Sequence, residues 1–180
     1  MLSPHDVPGV AALEALASRI FSEAALLPEE AWVPMPAATM YAGGWSALLF
    51  SAGPWSHEFG GAEPARNLAA CPSAGAFLAD YGAIVGVFGL LRLAPGATLA
   101  PHRDHRHDEE VRVHIPVHLP EGGEAGWELH TARLLDIRAL HSGSNPGATP
   151  RITVVADIRV GRVVELGEVA EWGKPLGPAA

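Results

Sequence analysis

One stretch, "APGATLAPHRDHRHDEEVRVHIPVH" (residues 94–118), holds five of the chain's nine histidines together with a knot of acids and arginines. Within it His102-Arg103-Asp104 forms an H-x-D triplet, an imidazole and a carboxylate that can each offer a lone pair to a metal ion. A third ligand of the same kind stands far along the chain, where His141 closes the segment "LLDIRALH". Two histidines and one carboxylate on one face of an ion leave positions open, an arrangement that suits Fe(II) and O2. Arg151 follows His141 by ten residues and precedes Thr153 by two. A guanidinium and a hydroxyl so placed could grip a carboxylate through paired hydrogen bonds. The triplet alone is a weak signal in so histidine-rich a chain, and the elements that carry it must decide.

Strand signals follow one another from about Ala83: "AIVGVFGLLRL", "VRVHIPVHL", "WELHTARLLDI" and "RITVVADIRV". Turn material separates them, as "APGAT", "PEGGEAG" and "SGSNPGATP". No helix alternates with the strands, so an antiparallel sandwich or barrel is expected rather than a parallel α/β sheet. The turn at Pro95-Gly96 ends one strand and sets the triplet at the barrel mouth. Side chains alternate along a strand, so Val111, Val113, Ile115 and Val117 point one way and Arg112, His114, Pro116 and His118 the other. Arg151, Thr153 and Val155 likewise share a face. A barrel packed on helices through its apolar side would carry Arg112, His114, Arg151 and Thr153 inside, where a guanidinium is costly without an anion. An exposed polar face has the same periodicity, and the pattern leaves both open.

Upstream, "VAALEALASRIFSEAALL" places Leu13, Leu16, Ile20 and Ala24 on one helical face. Ser3, Pro4 and Asp6 read as its start signals and "LPEE" as its end. "GWSALLFSAG" reads as a Gly-bounded strand, and a second helix is expected over Pro72–Asp80 with Ser73 as its cap. The expected organisation is one domain over residues 1–180, helical to about residue 80, with a β core over about 81–165.

The composition narrows the function classes. Hydrophobic residues make up 48% of the 180, which supports a packed core. The net charge of −8 argues against nucleic acid and against an anionic membrane surface. Lys174 is the single lysine and lies in the Gly/Pro-rich tail, so Schiff-base chemistry is not expected. The single cysteine, Cys71, cannot form an intrachain disulfide and reads as structural. No signal peptide or membrane span is visible, and a cytoplasmic location is expected.

The order H-x-D, distal histidine, then arginine ten residues on resembles the Fe(II)/2-oxoglutarate-dependent oxygenases. More narrowly, "FGLLRLAPGATLAPHRD", "VRVHIPVHLP", "LLDIRALHSGSN" and "RITVVADI" resemble the aspartyl/asparaginyl β-hydroxylase family. Small bacterial amino-acid hydroxylases, among them proline hydroxylases with an R-x-HIP strand, stand near it. The likeness runs from about Gly44, through "GWSALLF" and Cys71-Pro72, to Asp157. It implies a double-stranded β-helix, the jelly-roll barrel of the cupins, and an H-x-D branch in which His102, Asp104 and His141 hold Fe(II). It implies that Arg151, helped by Thr153, binds the distal carboxylate of 2-oxoglutarate, that His114 contacts the cosubstrate, and that Arg112 meets a substrate carboxylate. A family serine that binds the cosubstrate aligns with Leu91, a departure at that contact. The implied activity is oxidation of an unactivated C–H bond of a free or modified amino acid, with 2-oxoglutarate decarboxylated to succinate. Hydroxylation, ring closure and desaturation can all follow.

Around this set, His105, His107, Asp108 and Glu109 read as a solvated loop or lid, or as substrate contacts. His118 and His130 read as barrel-lining or surface residues, Asp136 and Asp157 as structural hydrogen-bonders, and Trp45 and Trp127 as packing residues. A plain cupin acting on a small molecule without 2-oxoglutarate is the rival, since Gly96 and Asn145 echo cupin motifs. Cupins, however, usually want H-x-H and need no arginine at position 151. A peptidyl or carrier-bound substrate is a further alternative. Neither the substrate nor the oligomeric state follows from the sequence.

Overall fold

The structure is a computed structural model that describes all residues except 1–2, 37, 54–58, 105–108, 122–126, 136 and 162–180. His105, His107, Asp108, Asp136 and Lys174 therefore lie outside the described residues. Among the described residues three α-helices, α1 (Val10–Ala24), α2 (Pro64–Ala70) and α3 (Pro72–Tyr81), accompany nine strands. The strands are β1 (Val33–Pro34), β2 (Tyr41–Ala42), β3 (Trp45–Ala52), β4 (Val85–Leu93), β5 (Thr98–His102), β6 (Glu110–His118), β7 (Arg133–Leu135), β8 (His141–Ser144) and β9 (Arg151–Arg159).

All strand pairs are antiparallel, in a large sheet ordered β1-β3-β4-β9-β6-β7 and a small one ordered β2-β5-β8. The pairs β4·β9, β5·β8 and β6·β7 are nested, so the chain from residue 85 doubles back on itself as one long ribbon. That ribbon is rolled until β6 also pairs with β9. This winding is a jelly roll, the double-stranded β-helix, and the fold is mainly β with helices toward the N-terminus.

Period two divides the large sheet as expected up to Pro116; a register shift after it sets His118 opposite Ile152 and 6.4 Å from the Phe21 ring of α1, off the face that the alternation assigns it. Val111, Val113 and Ile115 of β6 and Ile152, Val154, Ala156 and Ile158 of β9 share a core with Leu48, Phe50, Phe88 and Leu90. Helix α1 closes this core through Val10, Leu13, Ala17, Ile20 and Ala24, and α3 adds Ala74 and Phe77. The other face of the same strands, with Arg112, His114, Arg151 and Thr153, looks toward the small sheet. The helices thus shield one face and leave the opposite one to line a cavity. Gly89 in β4 is required by close approach, because a Cβ there would lie 2.3 Å from the Leu48 carbonyl oxygen. At that point β3 carries an irregularity between Leu49 and Ser51.

Several local expectations shift. Ser3, Pro4 and Asp6 build a 3-10 turn over Pro4–Asp6, closed by the Ser3 N–H donating to Asp6 at 2.8 Å; α1 starts only after Gly9. Ser73 is not the N-cap of α3. Cys71 occupies that position, and the Ser73 N–H and hydroxyl both donate to the Glu23 carboxylate of α1, at 2.9 and 2.7 Å. A carboxylate from another helix thus satisfies an orphan donor of the first turn. Among the described residues of "WELHTARLLDI" only Arg133–Leu135 form a strand, because residues before it turn at His130, which sits at φ 63°. Strands β5 and β8 were not foreseen: the first contains Pro101 and the second is four residues long. Among the described residues no helix is long and apolar enough to cross a membrane.

Candidate metal centre

The small sheet brings the H-x-D triplet and the distal histidine together. His102 ends β5 and His141 opens β8, and the two face each other in register with ring centroids 4.2 Å apart. Asp104 follows two residues later, its backbone N–H donating to the Ile137 carbonyl at 2.7 Å, on the approach to β8. One ligand atom from each of His102, Asp104 and His141 lies within 4.8 Å of the others.

The ring orientations decide which atoms point inward. Nδ1 of His102 stands 2.8 Å from the Ala100 carbonyl, and Nδ1 of His141 stands 3.0 Å from the Ala139 carbonyl. A carbonyl can only accept, so each Nδ1 carries the proton of that bond, which leaves Nε2 as the nitrogen that can face a metal. Both rings use the same device, a carbonyl two residues earlier on their own chain. Oδ1 of Asp104 lies 3.5 Å from Nε2 of His102. Burial holds the His141 pKa below the ordinary imidazole value, which keeps that ring neutral.

The cavity above this cluster lies between the two sheets. Its small-sheet wall has Leu99, His102, His141 and Ser142, and its large-sheet wall has Leu91, Leu93, Arg112, His114, Arg151 and Thr153, with Trp45 and Leu135 completing it. Sheet register explains the second wall: Leu93 pairs with Arg151 and Leu91 with Thr153 across β4·β9, so all four project to one side. The position where the resemblance asks for a serine is therefore an apolar part of the wall. Arg151 and Thr153 are both buried. His114 is buried too, and burial followed by the charges of Arg112 and Arg151 holds its pKa well below the ordinary value. It is a neutral imidazole at physiological pH.

All seven residues singled out for the site, His102, Asp104, Arg112, His114, His141, Arg151 and Thr153, thus converge on one place. Arg112 arrives already engaged, through Nε and Nη2 with Asp157 at 2.6 and 2.9 Å and through Nη1 with Oδ2 of Asp104 at 2.7 Å. Burial disfavours its charge, but Asp157 and then Asp104 outweigh that and raise its pKa above the ordinary arginine value. Asp157 is the structural hydrogen-bonder expected of it.

Trp45 and Trp127, packing residues by the sequence pattern, both stand beside site residues. Trp45 lines the cavity with its ring 6.4 Å from that of His102. Trp127 meets His114 edge-on at 6.0 Å and has the Arg133 and Arg151 guanidinium carbons over its ring at 5.7 and 5.6 Å. Nothing in an aromatic's sequence position separates a cavity wall from a core filler, so no signal was available. His118 is half-buried and donates from Nδ1 to the Pro150 carbonyl, while His130 is exposed. Asn145 ties loops together and Gly96 forms the turn before β5, so neither touches the cluster.

A family model described as aspartyl/asparaginyl beta-hydroxylase matches residues 17–160. No curated protein matches the chain. Among solved structures, it is similar to a predicted oxalate decarboxylase from Thermotoga maritima, at 14% identity and TM-score 0.41, over 74% of this chain and 98% of that one. It is also similar to a prolyl-4-hydroxylase from Pseudomonas putida, at 16% identity and TM-score 0.39, over 87% and 90%.

Proposed function

The chain belongs to the aspartyl/asparaginyl β-hydroxylase family, and from that premise we propose that it is an Fe(II)/2-oxoglutarate-dependent oxygenase acting on a small, amino-acid-type substrate. The observation that carries the proposal is the convergence of His102, Asp104 and His141 beneath a cavity whose far wall holds a buried arginine and threonine. The donor set fits the ion: two imidazoles whose Nδ1 is engaged by a carbonyl, leaving Nε2 for a metal, and one carboxylate, with no thiolate nearby to favour a softer metal. His102 and His141 would hold Fe(II) through Nε2 and Asp104 through Oδ1. Iron with 2-oxoglutarate and O2 supplies oxidising power, coupling decarboxylation to succinate with oxidation of an unactivated C–H bond.

The chain's own residues bind, orient and exclude water. Arg151 and Thr153 stand side by side on the large-sheet wall, where a guanidinium fork and a hydroxyl can take the distal carboxylate of the cosubstrate. His114, neutral and buried between them and Arg112, can offer a hydrogen bond without adding charge. Apart from Ser142, the rest of the lining is apolar, made by Leu91, Leu93, Leu99, Leu135 and Trp45, which disfavours bulk water and strengthens each polar contact. Hydroxylation is the expected outcome, and ring closure or desaturation would start from the same hydrogen abstraction.

The test is anaerobic. Fe(II) followed by 2-oxoglutarate should give a visible metal-to-ligand charge-transfer band, and a screen over free amino acids should then find one that accelerates succinate release. His141→Ala should abolish iron binding. Arg151→Ala should leave iron bound and raise the 2-oxoglutarate requirement by roughly 10- to 150-fold, the range for losing charge-assisted hydrogen bonds of about 1.5–3 kcal/mol. Iron binding without any band would refute the cosubstrate, and full activity in His141→Ala would refute the ligand set.

A further inference from the structure

Arg112 and Asp157 face each other across β6·β9, residue against residue, in the middle of the large sheet. Sheet register therefore sets their contact, and both are buried, Asp157 at 1% exposure. Two of the guanidinium's donors, on Nε and Nη2, grip the two carboxylate oxygens in a fork. The edge left over points at the small sheet, where Nη1 donates to Oδ2 of Asp104. Asp104 differs in situation: it lies beyond the end of β5, held by one backbone hydrogen bond, and its carboxylate has two torsions free to turn.

We propose that Arg112 is the positioning residue of the metal centre, a strut anchored on Asp157 that holds Oδ2 of Asp104 so that only Oδ1 faces the ion. The proposal rests on the metal-centre reading above and departs from the substrate-carboxylate role that the family resemblance implies for this arginine. Two observations favour the departure. Three hydrogen bonds to two carboxylates already surround the guanidinium, and an arriving substrate carboxylate would be a third anion on one cation. The charge sum agrees: Asp157 cancels Arg112, leaving Arg151 as the remaining cation among the described large-sheet residues of the cavity. The strut also controls coordination number. A carboxylate free to turn can offer both oxygens to an ion and close a position that the substrate side needs, whereas one with Oδ2 engaged offers a single oxygen. Arg112 and a dication repel, but Asp157 at 2.6 Å offsets that repulsion, so the geometric effect dominates.

The experiment measures Mn(II) affinity and the Mn(II) EPR spectrum, neither of which needs turnover. The proteins are wild type, Arg112→Gln, Arg112→Lys, Asp157→Asn, Asp104→Ala and Arg112→Gln/Asp104→Ala, each checked for folding by circular dichroism. Arg112→Gln should weaken Mn(II) about tenfold or more, within the ~10- to 100-fold range for groups that orient metal ligands. Asp157→Asn should show a smaller loss and Arg112→Lys partial rescue. In the Asp104→Ala background the effect of Arg112→Gln should vanish, because the strut would have nothing to hold. Should Arg112→Gln fail to fold, Arg112→Gln/Asp157→Asn removes the charge pair together and carries the same expectation. Wild-type affinity in Arg112→Gln, or an equal loss with and without Asp104, would overturn the proposal while leaving the metal centre intact. Absence of Mn(II) binding by wild type, or wild-type binding by Asp104→Ala, would overturn the metal-centre reading itself and the strut with it.

Discussion

Asn145 lends itself to a quantitative prediction, because all of its amide is engaged and only 1% of its surface is exposed. Its Nδ2 donates to the Leu93 carbonyl at the end of β4 and to the Thr149 carbonyl before β9, both at 2.9 Å, and its Oδ1 accepts from the Gly147 N–H at 3.1 Å. Its backbone adds two ties, donating to the Ala97 carbonyl at 2.9 Å and accepting from the Gly96 N–H at 2.8 Å. The side chain thus joins the end of β4 to the connection between β8 and β9, and the backbone of the same residue ties that connection to the turn into β5. Asn145→Ala removes three side-chain hydrogen bonds and leaves buried polar groups behind. At about 1 kcal/mol net each, the loss is about 3 kcal/mol. For a chain of this length that lowers Tm by roughly 6–12 °C. Asn145→Asp separates hydrogen bonding from volume: it keeps size and the acceptor for Gly147 but sets a carboxylate against two carbonyls, so at neutral pH it should be no more stable than the alanine variant. Urea and thermal unfolding followed by circular dichroism measure both. If either variant lies within about 1 kcal/mol of wild type, the hydrogen bonds are not what Asn145 contributes, and the reasoning fails.

Gly89→Ala should be strongly destabilising or abolish soluble expression, since its Cβ would lie 2.3 Å from a backbone oxygen; Gly60→Ala, with nothing within 4 Å, is the control and should be neutral in the same unfolding assay. Burial, and secondarily the charge of Glu23, pushes the Cys71 thiol up from 9.0 to about 11, so a thiol reagent at pH 8 should label it only after denaturant is added. The same shift makes stability fall as pH rises from 9.0 toward 11, because the unfolded chain gives up the thiol proton first; Cys71→Ala should flatten that part of the profile. Glu23→Ala should cost about 1–2 kcal/mol in thermal unfolding through loss of its two bonds to Ser73, and an unchanged Tm would refute its capping role.

Much of the fold was legible because burial on a sheet imposes a period of two, and β6 and β9 obey it. Val113 and Val154 had to face the helices if Arg112 and Thr153 faced the cavity, and no tertiary knowledge was needed to see it. The long strands and α1 were legible for the same reason. The short strands β5 and β8 were not, since a four-residue pairing and a strand containing proline carry too little pattern to stand apart from loop. Yet these two strands hold His102 and His141 opposite each other.

By itself, then, the sequence determined the inventory: an H-x-D triplet, a distal histidine, an arginine ten residues on and alternating strands to carry them. Only the tertiary structure decided what each residue faces. That Arg112 meets Asp157 depends on the register of β6 against β9, and that Trp45 lines the cavity while Trp127 packs against His114 and Arg151 depends on how elements distant in the chain are brought together. The physical reason is that a strand's own pattern states which side a residue points to, whereas its partner across the sheet is set by contacts distant in the chain, which no local pattern encodes.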